Sequence, residues 1–382
     1  MDDSPSSGTR RIVAVGAAVF AIGASTTIPM PLFTGYAARD GQGAGALAAA
    51  FVAYAFTLII TAPLLGGMSD RIGRKPCVVA GLILAGLSTL ALAIAPGLAA
   101  LTLARVLQGL AIGLIAGAAT AWAAELAGGP RAGARAAAVV AFGTAGSYGA
   151  GGVFTLVALS ALGPAEPPVT FWLHIAACAG LVPMVLRLPE TRVGTRVAWL
   201  RLPAFPRGTL PTTLGMLPAW GTTGVTITSV PATLAAQGMP RAGPIAICFM
   251  ILFGTAVQQA LRGVAPRRSV LVGLFVLSCG AATVMWGAIH GALWALLLGG
   301  AAVGSAAYGF LFVGGLAVAS EDATDRARAA AGFFLVAHIG FFAPPLVTGL
   351  AVDAFGAPAA LAGLAVFVAA VSALLAAAIR RR

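Results

Sequence analysis

Long apolar runs alternate with short polar, mostly basic segments along the whole chain. The runs lie near 12–34, 44–65, 77–96, 99–122, 136–160 and 170–187. After a basic, Pro-containing stretch they resume near 209–231, 242–261, 269–289, 292–318, 329–351 and 357–379. At about 20 residues, each run crosses a hydrocarbon core of roughly 30 Å as a helix rising about 1.5 Å per residue. The pattern predicts an all-α membrane protein of twelve transmembrane helices. They fall into two six-helix halves, 1–187 and 209–382, joined by a cytoplasmic linker at 188–208. The period-two alternation of barrel strands roughly ten residues long is absent.

Composition agrees. Hydrophobic residues make up 59% of the 382 and charged residues only 9%, with a mean hydropathy of +0.97. A soluble domain carries about 25% charged residues, so this chain is expected to take the lipid bilayer as its solvent. The 50 glycines suit helices that approach closely in lipid. Pro29, Pro31, Pro183, Pro344 and Pro345, in or near span ends, predict kinked helices. Residues 1–11 are polar, end in Arg10-Arg11 and precede a run without a small-residue cleavage site, which predicts a retained first helix.

The net charge of +12 would suit nucleic acid only if clustered on one soluble surface, and here it is spread between spans, so no nucleic-acid partner is expected. With the N-terminus inside, all but Arg39, Arg105 and Arg241 of the 23 Lys and Arg residues fall in cytoplasmic segments. The positive-inside rule thus predicts an even number of crossings of the cell membrane with both termini cytoplasmic. Cys77, Cys178, Cys248 and Cys279 lie in apolar stretches with no close pair, so they read as buried thiols, with no disulfide, metal site or cofactor implied.

Between the second and third spans stands Gly66-Gly67-Met68-Ser69-Asp70-Arg71-Ile72-Gly73-Arg74-Lys75. Glycines at 66 and 73 allow tight backbone approach, Asp70 is suited to a helix N-terminus, and Arg71, Arg74 and Lys75 hold the cytoplasmic face. The segment resembles, in letters and position, the signature loop G-x-L-x-D-R-x-G-R-K/R of the major facilitator superfamily. Arg105-Val106-Leu107-Gln108-Gly109 resembles the family's R-x-x-Q-G in span four, and Leu188-Pro189-Glu190-Thr191 resembles the L-P-E-T that follows span six in efflux-type members. The resemblance implies the twelve-helix facilitator fold and a secondary transporter of small solutes. It also implies that the loop Asp meets the start of helix eleven. In span five, Gly143–Gly152 aligns with the G-x-x-x-G-P-x-x-G-G of drug/proton antiporters, but Ser147-Tyr148 replace the Gly-Pro pair. A Gly-rich packing face is an equal reading of that segment.

No acidic residue sits mid-span, and intramembrane acids commonly mark cation pathways, so a neutral or anionic substrate is expected. Arg105 is the one charge within a span. Either it clamps backbone carbonyls of span one, or it contacts an anionic substrate or a proton. His338, near the middle of span eleven, is the best placed proton carrier, against the alternative of a hydrogen-bonded structural histidine. His174 and His290 lie near outer span ends. Thr26, Thr27, Gln108, Tyr148, Thr222, Thr223, Thr226 and Tyr308 are candidates for the solute pathway, though hydroxyls often bond back along their own helix.

The expected function is export of a drug or metabolite by alternating access, coupled to protons, by a monomer. Uptake and uncoupled facilitation are the alternatives. A membrane enzyme or sensor is disfavoured, because the three histidines are scattered, no nucleotide-binding loop occurs, and no long soluble segment is present.

Overall fold

The structure is a computed structural model describing residues 5–65, 67–127, 130–191, 203–261, 263–321 and 325–381. Among the described residues it is built of helices. The long segments are α1 Pro5–Ala24, α2 Ala44–Leu65, α3 Arg74–Ile94, α4 Leu98–Ala127, α5 Pro130–Leu162 and α6 Val169–Leu186. They continue with α7 Met216–Ala236, α8 Ala242–Ala260, α9 Pro266–His290, α10 Leu293–Glu321, α11 Arg326–Phe355 and α12 Ala357–Arg380. By length and composition, nine described segments can cross a membrane, those of α2 to α6 and α9 to α12. The other three, α1, α7 and α8, stand where the hydropathy pattern predicts spans one, seven and eight. Most of the expected linker, 192–202, lies outside the described residues.

The first apolar run does not form one straight helix. α1 starts earlier than the run and ends at Ala24, followed by turns and a short 3-10 segment, Met30–Leu32. Ser25 and Thr26 donate their hydroxyls to the carbonyls of Ile22 and Gly23, and Pro29 and Pro31 follow, so the sequence itself supplies the groups that end the helix.

The chain divides into two compact units, Met1–Pro31 with Thr57–Arg201, and Leu32–Phe56 with Leu202–Arg382. In the first, α1 is the central helix, packed against α3, α5 and α6. Ile22, Val78, Leu82, Trp122, Val140 and Val185 form its apolar core. The Gly-rich face of α5 packs on α1: a Cβ added at Gly143 would stand 2.7 Å from the Gly16 carbonyl oxygen, and Thr27 donates its hydroxyl to the Ser147 carbonyl at 3.0 Å. His174 ties three helices together. Its Nε2 donates to the Ala21 carbonyl at 2.9 Å, and with the ring neutral Nδ1 accepts the Thr89 hydroxyl at 2.9 Å.

In the second unit α7 is buried along nearly its whole length against α11. Pro344 and Pro345 of α11 seat against Gly221 and Gly224 of α7, where any side chain would collide with the proline rings. The many threonines of α7 are tolerable there because Thr222, Thr223, Thr226, Thr228 and Thr233 each donate to the carbonyl four residues back. α10 carries a π-helical turn at Ser305–Phe310. Two carbonyls of that turn are taken up by side chains, Tyr308 by Gln258 Nε2 at 2.8 Å and Phe310 by the Ser269 hydroxyl at 2.9 Å.

Candidate functional site

Three clusters gather the functional candidates, two in the first unit and one in the second. The signature loop folds around Arg74. Met68–Ile72 form one short turn of helix, Gly73 takes φ +103°, a region that disfavours any side chain, and α3 begins directly after it. Arg74 is buried. Its Nη2 lies 2.9 Å from Asp70 Oδ1 and 3.1 Å from Glu125 Oε1, and its Nη1 donates to the Ser69 hydroxyl at 2.6 Å. The planar guanidinium thereby joins the loop to the end of α4. The first N–H groups of α3 have no partner within their own helix, and Glu190 supplies one: its carboxylate oxygens accept from the backbone of Arg74 and Lys75, each at 2.9 Å. Thr191 donates its hydroxyl to Glu125, and Lys75 Nζ donates to the Leu186 carbonyl at 3.1 Å.

The sequence suggested Asp70 as a helix cap. In the structure the carboxylate on the α3 N-terminus is Glu190, and Asp70 pairs with Arg74 one turn on. Gly66 lies outside the described residues. Arg71 is half-buried. Glu125 was not singled out in the sequence. Its available signal was an acid closing an apolar span near a loop that carries a surplus of arginine.

The second cluster closes the end of α1. Helix-terminal carbonyls lack intrahelical donors and carry the negative end of the dipole. Gln108 Nε2 donates to the Ser25 carbonyl at 2.9 Å and Arg105 Nη1 to that of Thr26 at 3.2 Å, while Arg105 Nη1 also meets Gln108 Oε1 at 3.2 Å. Arg105 is 1% exposed and Gln108 fully buried, so the span-four pair binds backbone in the bundle interior. Tyr148, half-buried on α5, belongs to the same unit.

The third cluster surrounds His338. Its Nδ1 lies 2.6 Å from the Phe334 carbonyl; a carbonyl only accepts, so Nδ1 carries the proton. Trp220 of α7 meets the imidazole edge-on at 5.2 Å between centroids and Phe341 at 5.8 Å, and lies parallel to Phe312 within 7° at 6.5 Å. Thr223 and Thr226, on the same helix as Trp220, have their hydroxyls bonded back along it, and Tyr308 lies in the π turn ahead of Phe312. Trp220 had no motif to flag it. Only its place in a threonine-rich span distinguished it.

Solved structures share this fold. A nucleoside transporter, NupG, superimposes with a TM-score of 0.72 at 14% identity over 96% of this chain and 98% of its own, and a point mutant of it with 0.75 at 14% over 97% and 98%. The peptide transporter POT, in complex with alafosfalin, gives 0.76 at 13% identity over 97% of this chain and 94% of its own. No curated protein matches in sequence. The sequence pattern of the Major Facilitator Superfamily matches residues 15–264, well over half of the chain, which therefore belongs to that family of multi-pass membrane transporters of small solutes.

Proposed function

We propose that this transporter exports a small neutral or anionic organic solute, in exchange for protons, across a cell membrane in which both termini are cytoplasmic. A monomer suffices, the halves 1–187 and 209–382 alternating access to a site near the midplane. The observation that carries the reading is the Arg74 cluster. Three carboxylates converge on one buried guanidinium and the helix start beside it, a strong charge-assisted lock that two conformations would engage unequally. Export is favoured by the Leu188-Pro189-Glu190-Thr191 segment, whose Glu190 and Thr191 are bonded into that lock. The similar folds of a nucleoside transporter and a peptide transporter support an organic solute as cargo.

Arg105 and Gln108 act in this reading as a clamp on the end of α1, and His338 as the group that takes up the proton. Uptake or uncoupled facilitation is the second reading, favoured by the absence of a mid-span acid and by Ser147-Tyr148 in place of the antiporter Gly-Pro. The test is a comparison of metabolite pools in cells with and without the protein, followed by transport of any responding solute in proteoliposomes. Exchange should stop when the pH gradient is collapsed, and His338→Gln should lose the accompanying proton flux. Gradient-independent equilibration would overturn the coupling.

A further inference from the structure

Trp220 presents a polar atom that the fold leaves unsatisfied. Its Nε1 is buried and has no hydrogen-bond partner among the described residues. Indole is a donor only, so no rotation converts the group into something else. A buried donor without an acceptor is costly, and buried groups of this kind are almost always paired, so this N–H offers a place to an acceptor that the described residues do not supply.

The surroundings say what shape that acceptor has. Trp220 and Phe312 lie within 7° of parallel, which fixes one plane for a guest ring. His338 and Phe341 make T-shaped contacts with the indole, at 80° and 69° between ring planes, and Phe334 closes the group at 5.8 Å from Phe312 and 6.3 Å from His338. Aromatic faces attract flat π systems, and offset stacking adds to what area burial alone supplies. His338 adds the complementary polar atom. With Nδ1–H held by the Phe334 carbonyl, the neutral ring presents Nε2 as an acceptor. The π turn at Ser305–Phe310, held open by Gln258 and Ser269, ends two residues before Phe312 and sets the position of that ring.

We propose that Trp220, Phe312, Phe334, His338 and Phe341 form the seat for the transported solute in the second unit, and that the solute is an uncharged planar heteroaromatic bearing an acceptor and a donor on one edge, as in a lactam or ring amide. The ring lies beside the N–H edge of Trp220, in the indole plane and so parallel to Phe312, on which it stacks; its acceptor takes the Trp220 N–H, and its donor meets His338 Nε2. This assignment rests on the reading of the chain as a small-solute transporter.

The test is equilibrium binding to the full chain in lipid nanodiscs, with hypoxanthine and quinolin-2-one as planar lactams and octahydroquinolin-2-one as the saturated control. Both planar probes should bind saturably, and the saturated lactam about ten-fold more weakly or not at all. Trp220→Phe keeps a face and loses the donor, and should weaken planar binding by about ten-fold, the size of one hydrogen bond. Phe312→Leu should weaken the planar probes without affecting the saturated one, and Trp294→Phe, an exposed tryptophan outside the cluster, should change nothing. Absence of planar binding to folded wild type, equal binding of the saturated lactam, or wild-type affinity in Trp220→Phe would each overturn the seat. The last result would leave the orphan donor to an ordered water. The planar–saturated comparison needs no variant, so it decides even if a substitution fails to fold. Transport of a solute found in cells that is indifferent to Trp220→Phe sinks the seat alone, whereas absence of any transport sinks the reading beneath it.

Discussion

Asp353, at the end of α11, holds Gly45 in the first turn of α2 by its backbone. Oδ2 accepts the Gly45 N–H at 2.8 Å, while Oδ1 accepts that of the neighbouring Ala44 at 2.9 Å. One carboxylate thereby satisfies two of the orphan donors of a helix N-terminus and sits at its positive end. The approach depends on glycine. A Cβ at Gly45 would lie 2.6 Å from Oδ2, and one at Gly43 2.5 Å from Oδ1.

Asp353→Ala should therefore destabilise the protein by about 1 kcal/mol, the usual worth of such a cap at a partly exposed site. Gly45→Ala should cost a similar amount, because the new methyl displaces the same carboxylate. The two effects should not add, since each removes one and the same contact. Thermal unfolding of both single variants and the double variant in detergent measures the coupling; full additivity would refute the shared contact.

The Arg74 cluster predicts a different pattern. Arg74→Ala leaves Asp70 and Glu125 facing each other without their cation and should cost about 3 kcal/mol, with a collapse in folded yield. Arg74→Lys keeps the charge but cannot span Asp70, Glu125 and Ser69 at once, so folded protein should be recovered while transport falls. Glu190→Gln should be milder, since the amide oxygen still accepts one of the two α3 N–H groups. The check is yield by fluorescence-detected size exclusion together with transport; equal behaviour of Arg74→Lys and wild type would contradict the fork.

How far these contacts were legible beforehand follows from their range. Hydropathy marks where the helices lie because a span is a local property, and it is weaker for α1, α7 and α8 than for the other nine; in α7 the threonines hide their polarity by bonding along their own helix. The signature loop was legible because Asp70, Arg71, Gly73 and Arg74 are consecutive. Their partner Glu125 lies 51 residues from Arg74, and Asp353 lies 308 from Gly45, so these pairs exist only once tertiary packing brings them together. Trp220 and His338 likewise meet because glycines of α7 receive prolines of α11, a complementarity of shapes that residue types taken singly do not reveal.

At the end of α1, Gln108→Leu should be more damaging than its polarity suggests. It strips the Ser25 carbonyl of its donor and removes one acceptor of the Arg105 guanidinium, both in the buried interior. A loss of about 1–3 kcal/mol is expected. Arg105→Lys should keep folded protein but weaken the hold on Thr26, since lysine lacks the planar fork. If Arg105 acts as a clamp, solute affinity of that variant stays near wild type while turnover drops. A selective loss of affinity would instead make Arg105 a solute contact.

α8 and α10 meet backbone to backbone through Gly254, Gly300 and Gly304, and this contact gives the sharpest contrast between two glycines. A Cβ at Gly304 would overlap the Met250 carbonyl oxygen and stand 2.7 Å from its carbonyl carbon, rigid backbone atoms that no rotamer change can move. In lipid, where helices gain no hydrophobic driving force from pairing, such close approach is a main source of association. Gly304→Ala should thus push α10 off α8, disturb the π turn that starts at the next residue, and shift Phe312 with it. Folded yield should fall steeply, and any folded remainder should bind planar lactams poorly. Gly363 in α12 has nothing within 4 Å of its Cβ position. Gly363→Ala should leave binding intact and raise helix stability by up to about 1 kcal/mol. Paired thermal scans and lactam binding on the two variants check both halves; a wild-type profile for Gly304→Ala would show that the α8–α10 contact can loosen without consequence.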